Sequence, residues 1–149
     1  MEKKSLEEIV GVDNIFDDPE TLEAYAKDHS RCKSRSPSYV VKPHSSDEIQ
    51  AIVKLANQTV TPITPVSSGV HFYGATIPQQ GGIVLDLSRR NTILNVDTRN
   101  RTVRIEPGVT WGQMKKELKK HALMPLTPLL PHASTSALTS AVESTHAYS

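Results

Sequence analysis

With one cysteine, Cys32, in 149 residues, the chain can form no internal disulfide, and a reducing, cytoplasmic setting is the expectation. Aromatic residues are scarce at 5%, and hydrophobic residues reach 37%, lean for a self-sufficient globule. No apolar run approaches the roughly 18 residues of a membrane-spanning helix. Met1-Glu2-Lys3-Lys4 leads into charged sequence, where a secretory signal would need an apolar stretch. Excess charge of one sign is also missing. Lys and Arg number 17 against 16 Asp and Glu, for a net charge of +1, and so neither nucleic acid nor a membrane surface is expected as a partner. The Gly-x-Gly-x-x-Gly of a nicotinamide-binding turn and the Gly-Lys-Ser/Thr of a P-loop are both absent, so neither nucleotide fold fits. His29 and Cys32 lack further partners, and His44, His121, His132 and His146 are scattered without ligand spacing, so no metal site is expected. No repeat occurs at solenoid periods.

What is present is an alternation of helical and β-type patterns. Residues 1–36 read as a helical N-terminal extension. Ser5 and Glu8 have capping-box spacing before Ile9 and Val10, and Asp18-Pro19-Glu20 offers an N-cap, a proline at the first helical position and an acidic first turn. Leu22 and Tyr25 fall three apart, as one helical face requires. Asp28 to Pro37 is polar and reads as a loop.

A strand–helix–strand unit follows. Tyr39-Val40-Val41 is β-prone, and Ser45 with Glu48 forms a second capping-box pattern. Ile49, Ile52, Val53 and Ala56 then recur at i, i+3, i+4 and i+7. Pro62 and Pro65 flank the next short strand, and a crossover of this length favours parallel pairing. Gly82 to Leu87 is nearly all apolar, as a strand buried on both faces would be. Ile93–Asp97 and Thr102–Glu106 flank the turn-prone Thr98-Arg99-Asn100-Arg101 and predict a hairpin with one wet face. After Pro107-Gly108, Thr110 and Gln113 cap a helix on which Trp111, Met114 and Leu118 share a side. Asp86 and Asp97, at strand ends, read as turn or cap residues. From Pro125 the chain becomes rich in Pro, then in Ser and Thr.

The stretch with most chemical promise is Pro65-Val66-Ser67-Ser68-Gly69-Val70-His71-Phe72-Tyr73-Gly74, where a β-type run empties into a loop of small residues. Ser and Gly let main chain approach closely, and such a loop can curl its N–H groups around an anion. A phosphate-bearing ligand and an ordinary strand connection both remain open from the loop alone.

The order of parts is more specific than any one motif. Pro65-Val66-Ser67-Ser68-Gly69 with Gly74, then Gly82-Ile83-Val84-Leu85-Asp86-Leu87-Ser88, then Val96-Asp97, then Glu106-Pro107-Gly108-Val109 stand in an order that resembles the FAD-binding domain of the vanillyl-alcohol oxidase and p-cresol methylhydroxylase family. Within it the likeness is to the glycolate oxidase large subunit and D-lactate dehydrogenase branch, over roughly residues 37–140. The resemblance implies an α+β fold of p-cresol methylhydroxylase type, of which this chain carries the first lobe, a small parallel or mixed sheet with flanking helices, left incomplete. The expected division is a helical extension over 1–36 and a partial FAD-binding domain over 37–149.

For the site, the resemblance implies FAD. Its pyrophosphate would lie on the turn Ser67, Ser68, Gly69, Val70, His71, with Pro65 and Val66 leading in and Tyr73 and Gly74 at the exit. A second stretch, Pro131 with Ser134, Thr135, Ser136, Leu138, Thr139 and Ser140, would lie against the isoalloxazine and ribityl parts. The chain departs from the family twice. Leu138-Thr139-Ser140 stands where a Gly-Gly pair is usual, and Val70 stands where covalent members carry a histidine. Non-covalent FAD is therefore the expectation.

The resemblance further implies a flavin-dependent oxidoreductase acting on a small 2-hydroxy acid or alcohol. Substrate-binding and catalytic side chains are expected in sequence outside these residues, and this portion alone is expected to be inactive. An oligomer or a partner redox subunit is left open. The other reading is a truncated or diverged non-catalytic nucleotide-binding or interaction module.

Overall fold

The computed structural model describes residues 1–67 and 70–125. Helix α1 spans Lys3–Val10, and a single 3-10 turn at Val12–Asn14 leads into strand β1, Ile15–Phe16. Helix α2 (Pro19–Ala24), strand β2 (Tyr39–Val41), helix α3 (Ser46–Gln58), strand β3 (Ile63–Val66) and strand β4 (Ile83–Asp86) follow. The hairpin of β5 (Ile93–Asp97) and β6 (Thr102–Ile105) then precedes helix α4 (Trp111–Lys119).

Caps decide where the helices begin. Asp18 Oδ1 accepts from Thr21 N at 2.8 Å, with Pro19 at the first helical position of α2. Thr110 and Gln113 form a complete capping box on α4. At α3 the box is half made: Ser45 Oγ accepts from Glu48 N, but the Glu48 carboxylate turns to His44 N. The Ser5–Glu8 box does not form. Helix α1 starts before it, at Lys3, with no side-chain cap, and Ser5 lies inside the helix.

The four-stranded sheet has the order β1-β2-β4-β3. Strands β2 and β3, joined by the α3 crossover, are both parallel to β4, which lies between them, whereas β1 is antiparallel to β2. Pro65 sits inside β3 instead of flanking it. A ring nitrogen with no proton is tolerated there because β3 is the outermost strand.

Register sorts the side chains onto two faces. Ile15, Val41 and Leu85 align across one face and pack with Ile83 against Leu6 and Val10 of α1 and Ile52 of α3. Phe16, Val40, Val84 and Thr64 align on the other, where Val40, Val66 and Val84 pack with Leu22 and Tyr25 of the α2 region. Every residue of β4 is buried, as its apolar run predicts. Each fully buried aliphatic side chain in this sandwich contributes about 1.5–3 kcal/mol. Val53, 39% exposed, falls off the α3 stripe that Ile52 and Ala56 carry.

A third cluster lies under the hairpin: Val109, Met114 and Leu118 against Ile93, Val96, Val103, Ile105 and Trp111. The Trp111 Nε1 proton is buried there without a hydrogen-bond acceptor among the described residues. An Arg90–Glu106 ion pair at 2.7 Å and a Gly108 N to Arg90 O hydrogen bond at 2.7 Å tie this unit to the segment leaving β4.

Candidate functional site

Because β2, β4 and β3 run the same way, their carboxyl ends converge on one border of the sheet. Open parallel sheets bind ligands at such borders, where the connecting loops diverge. The loop leaving β3 begins at Ser67, which is buried, and reaches His71, also buried, before Phe72 and Tyr73 emerge at 46% and 71% exposure. A cleft of about 310 Å³ opens on the α2 face of this border. Val66, His71, Thr76, Asp86 and Ser88 line it from the sheet side, and Tyr25 and Asp28 from the N-terminal side.

The floor of the cleft is a buried charge cluster. Asp86, 3% exposed, accepts from the Tyr25 hydroxyl at 2.6 Å and from Ser88 N at 2.8 Å, and pairs with Lys42 Nζ at 3.2 Å. Lys42 also lies over the Phe16 ring at 5.1 Å and the Tyr25 ring at 5.6 Å. Burial pushes the Asp86 carboxyl up. Hydrogen bonds from Tyr25 and Ser88, with the Lys42 charge, outweigh it and hold the group below its ordinary value. Burial, then the hydrogen bond to Asp86, raise the Tyr25 phenol well above its ordinary value.

At the mouth of the cleft stands Asp28. Its Oδ1 accepts from Ser30 N and its Oδ2 from Gly74 N, each at 2.8 Å. Partial burial pushes its carboxyl up, but the Ser30 side chain, the Ser30 and Gly74 amides and the neighbouring His71 outweigh this and hold it below the ordinary value. Gly74 has φ of +76°, and a Cβ built on it would stand 2.6 Å from Cys32 Sγ, so both its backbone shape and its lack of side chain are required.

The structure thus brings Ser67, Val70, His71, Tyr73 and Gly74 into one loop beside the cleft, with Pro65 and Val66 on the outer strand. Ser68 and Gly69, together with Pro131, Ser134, Thr135, Ser136, Leu138, Thr139 and Ser140, lie outside the described residues. Tyr25, Asp28 and Thr76 were not anticipated, because they reach the cleft only through tertiary packing. Asp86 had one legible signal: a carboxylate inside an apolar run, which burial makes expensive unless partners await it.

The residues present offer hydroxyl-bearing side chains that suit a polyhydroxylated ligand such as FAD. The hydrogen-bonding capacity of both carboxylates is already used, Asp86 by Lys42, Tyr25 and Ser88 and Asp28 by two amides, and Thr76 and Ser88 are among the residues that line the cleft. Among the described residues, no helix is long and apolar enough to cross a membrane.

Residues 37–145 match a family model described as an FAD binding domain. Glycolate oxidase subunit GlcD of Bacillus subtilis (strain 168) is 31% identical over 121 residues, covering 81% of this chain and 26% of that protein. The 4-cresol dehydrogenase (hydroxylating) flavoprotein subunit of Pseudomonas putida is 32% identical over 119 residues, covering 77% of this chain and 23% of that protein. The crystal structure of p-cresol methylhydroxylase with substrate bound superposes with a TM-score of 0.72 at 31% identity, over 80% of this chain and 24% of that one. The chain therefore spans about a quarter of the length of these relatives.

Proposed function

This chain belongs to the FAD binding domain family, and from that premise we propose that it is the cofactor-holding front part of a flavin-dependent oxidoreductase for a small 2-hydroxy acid or alcohol. The observation that carries the reading is the position of the 67–74 loop. It leaves β3 at the carboxyl border of the parallel sheet, beside a cleft in which Asp86 is paired with Lys42 and Asp28 is hydrogen-bonded to two amides. In this reading residues 37–149 are a partial FAD-binding domain, and residues 1–36 are an N-terminal extension that packs on it through α1 and adds β1 to its sheet.

Ser67, Ser68, Gly69, Val70 and His71 hold the pyrophosphate, and Pro65 and Val66 set where the turn begins. Gly74 serves by its conformation, since its amide is engaged by Asp28. Tyr73 is exposed and free to cover the ligand. Pro131, Ser134, Thr135, Ser136, Leu138, Thr139 and Ser140 contact the isoalloxazine and ribityl parts. When bound, FAD supplies the redox chemistry by taking up a hydride equivalent from the substrate, and the protein orients it and excludes water. The cofactor is held without a covalent bond through this turn, because Val70 offers no nucleophile.

A 2-hydroxy acid is favoured by the likeness to a glycolate oxidase subunit, glycolate being one. The likeness to a flavoprotein subunit leaves room for a second redox chain. The lone, exposed Cys32 suits a reducing, cytoplasmic compartment.

The test is Gly69→Val in the full-length protein. The wild type is expected to purify yellow, and the variant colourless with an unchanged far-ultraviolet circular dichroism spectrum, because a branched side chain obstructs close backbone approach. Equal flavin absorbance per protein in the two would remove the loop from the cofactor site.

A further inference from the structure

The segment 26–35 precedes the residues that match the family model, yet it grips the described end of the 67–74 loop. Arg35 N donates to Ala26 O at 2.9 Å and closes the segment on itself. From within this closed loop, Asp28 Oδ2 accepts from Gly74 N at 2.8 Å, and His29 N donates to His71 O at 2.8 Å. The His29 and Phe72 rings meet at 5.6 Å between centroids, and Cys32 packs directly on Gly74. Three successive parts of the loop (His71, Phe72 and Gly74) are thereby held by one short piece of chain. A further hydrogen bond, Ser30 N to Asp28 Oδ1, fixes the carboxylate that reaches Gly74.

We propose that the 26–35 segment is a strap that pre-shapes the cofactor loop, with Asp28 as its positioning residue. The inference rests on the FAD reading of that loop. A loop that must keep Gly74 at positive φ and aim its neighbours at a ligand spends part of its time elsewhere unless something holds it. Apparent affinity falls in proportion to the fraction correctly shaped. Asp28 suits the task because a carboxylate offers two acceptor oxygens and both meet backbone N–H groups. Although it lines the cleft, its role in this scheme is exerted through Gly74, whose amide it holds.

The experiment compares full-length wild type with Asp28→Ala, Asp28→Asn and, as a control at the remote hairpin turn, Asp97→Asn. Two readouts are taken: hydrogen exchange of the Gly74 amide in flavin-free protein, and the FAD dissociation constant by titration. In Asp28→Ala the Gly74 amide is expected to exchange about tenfold faster or more, while amides of β4 keep the wild-type rate. FAD is expected to bind about tenfold more weakly or worse. Asp28→Asn retains one acceptor oxygen and turns an NH2 group toward the other amide, so it should fall between, and Asp97→Asn should match wild type in both. Should Asp28→Ala fail to fold, Asp28→Asn decides by the same readouts. Unchanged Gly74 exchange overturns the strap, as does faster exchange with unchanged FAD affinity. A wild type that binds no FAD overturns the cofactor reading itself, and a wild type that binds while both Asp28 variants bind equally well overturns the strap alone.

Discussion

The Tyr25 hydroxyl donates to Asp86 Oδ2 at 2.6 Å, joining the exit of α2 to the end of β4 across 61 residues of sequence. The acceptor is an almost fully buried carboxylate, so the bond closes a cluster in which Lys42 balances the charge. Hydrogen bonds to charged groups of this kind contribute about 1.5–3 kcal/mol. Tyr25→Phe keeps the ring over Lys42 and removes only the hydroxyl. It is expected to lower unfolding free energy by about that amount in urea titrations, with an unchanged m-value. A loss below about 0.5 kcal/mol would mean that Lys42 and Ser88 alone satisfy Asp86.

The same cluster sets a pH dependence. Asp86 in the folded protein lies below its ordinary value of 3.8, so across that range the unfolded chain binds more protons. Its contribution to stability is present above about pH 4 and is lost as pH falls through the folded value. Tyr25 works at the other end. Its folded pKa lies above the ordinary 10.0, so its contribution is full below pH 10 and is lost as pH rises further. Denaturation midpoints measured from acid to alkaline pH should give a plateau with two falling limbs. Asp86→Asn should make the acid limb shallower, the remainder belonging to other lowered carboxylates such as Asp28, and Tyr25→Phe should flatten the alkaline one.

Gly82 and Gly81 give a paired test of backbone fit. Both have positive φ, +77° and +71°, but a Cβ on Gly82 would lie 2.2 Å from Pro62 O, whereas Gly81 has nothing within 4 Å. Pro62 O also accepts from Ile83 N, so the obstruction falls where β3 and β4 begin to pair. Gly81→Ala should cost on the order of 1–2 kcal/mol, the left-handed conformation alone. Gly82→Ala should cost clearly more in the same thermal or chemical denaturation, because main chain has to move.

For the cofactor, acid precipitation of the full-length protein is expected to leave the yellow colour in the supernatant, as Val70 provides no attachment point. Colour retained in the pellet on a peptide containing His71 would contradict this. Under anaerobic conditions the bound flavin should be bleached by a small 2-hydroxy acid without any nicotinamide. Bleaching by a nicotinamide cofactor alone would overturn the substrate class.

The elements legible in the sequence were those decided locally. Asp18 before Pro19, and Thr110 three residues before Gln113, mark helix starts because the cap and the amide it serves are neighbours in sequence. The buried strand β4 announced itself as an apolar run. Ile15–Phe16 did not, since two residues carry no period and become a strand only by pairing with β2. Pro65 misplaced a strand boundary because its tolerance depends on β3 being outermost. At the site, the small-residue loop was visible in the sequence, but the Tyr25–Asp86 and Asp28–Gly74 contacts were not. Each joins groups tens of residues apart, and their spacing encodes nothing.

Both borders of the described four-stranded sheet are poor templates for another chain. On one side β1 is two residues long, and on the other Pro65 withholds an N–H from any strand that would dock along β3. Edge-to-edge stacking of copies, the usual route from an open sheet to aggregation, is thereby disfavoured on both flanks. Pro65→Thr would restore the missing donor and supply a β-branched side chain, and with it an open flank for intermolecular pairing.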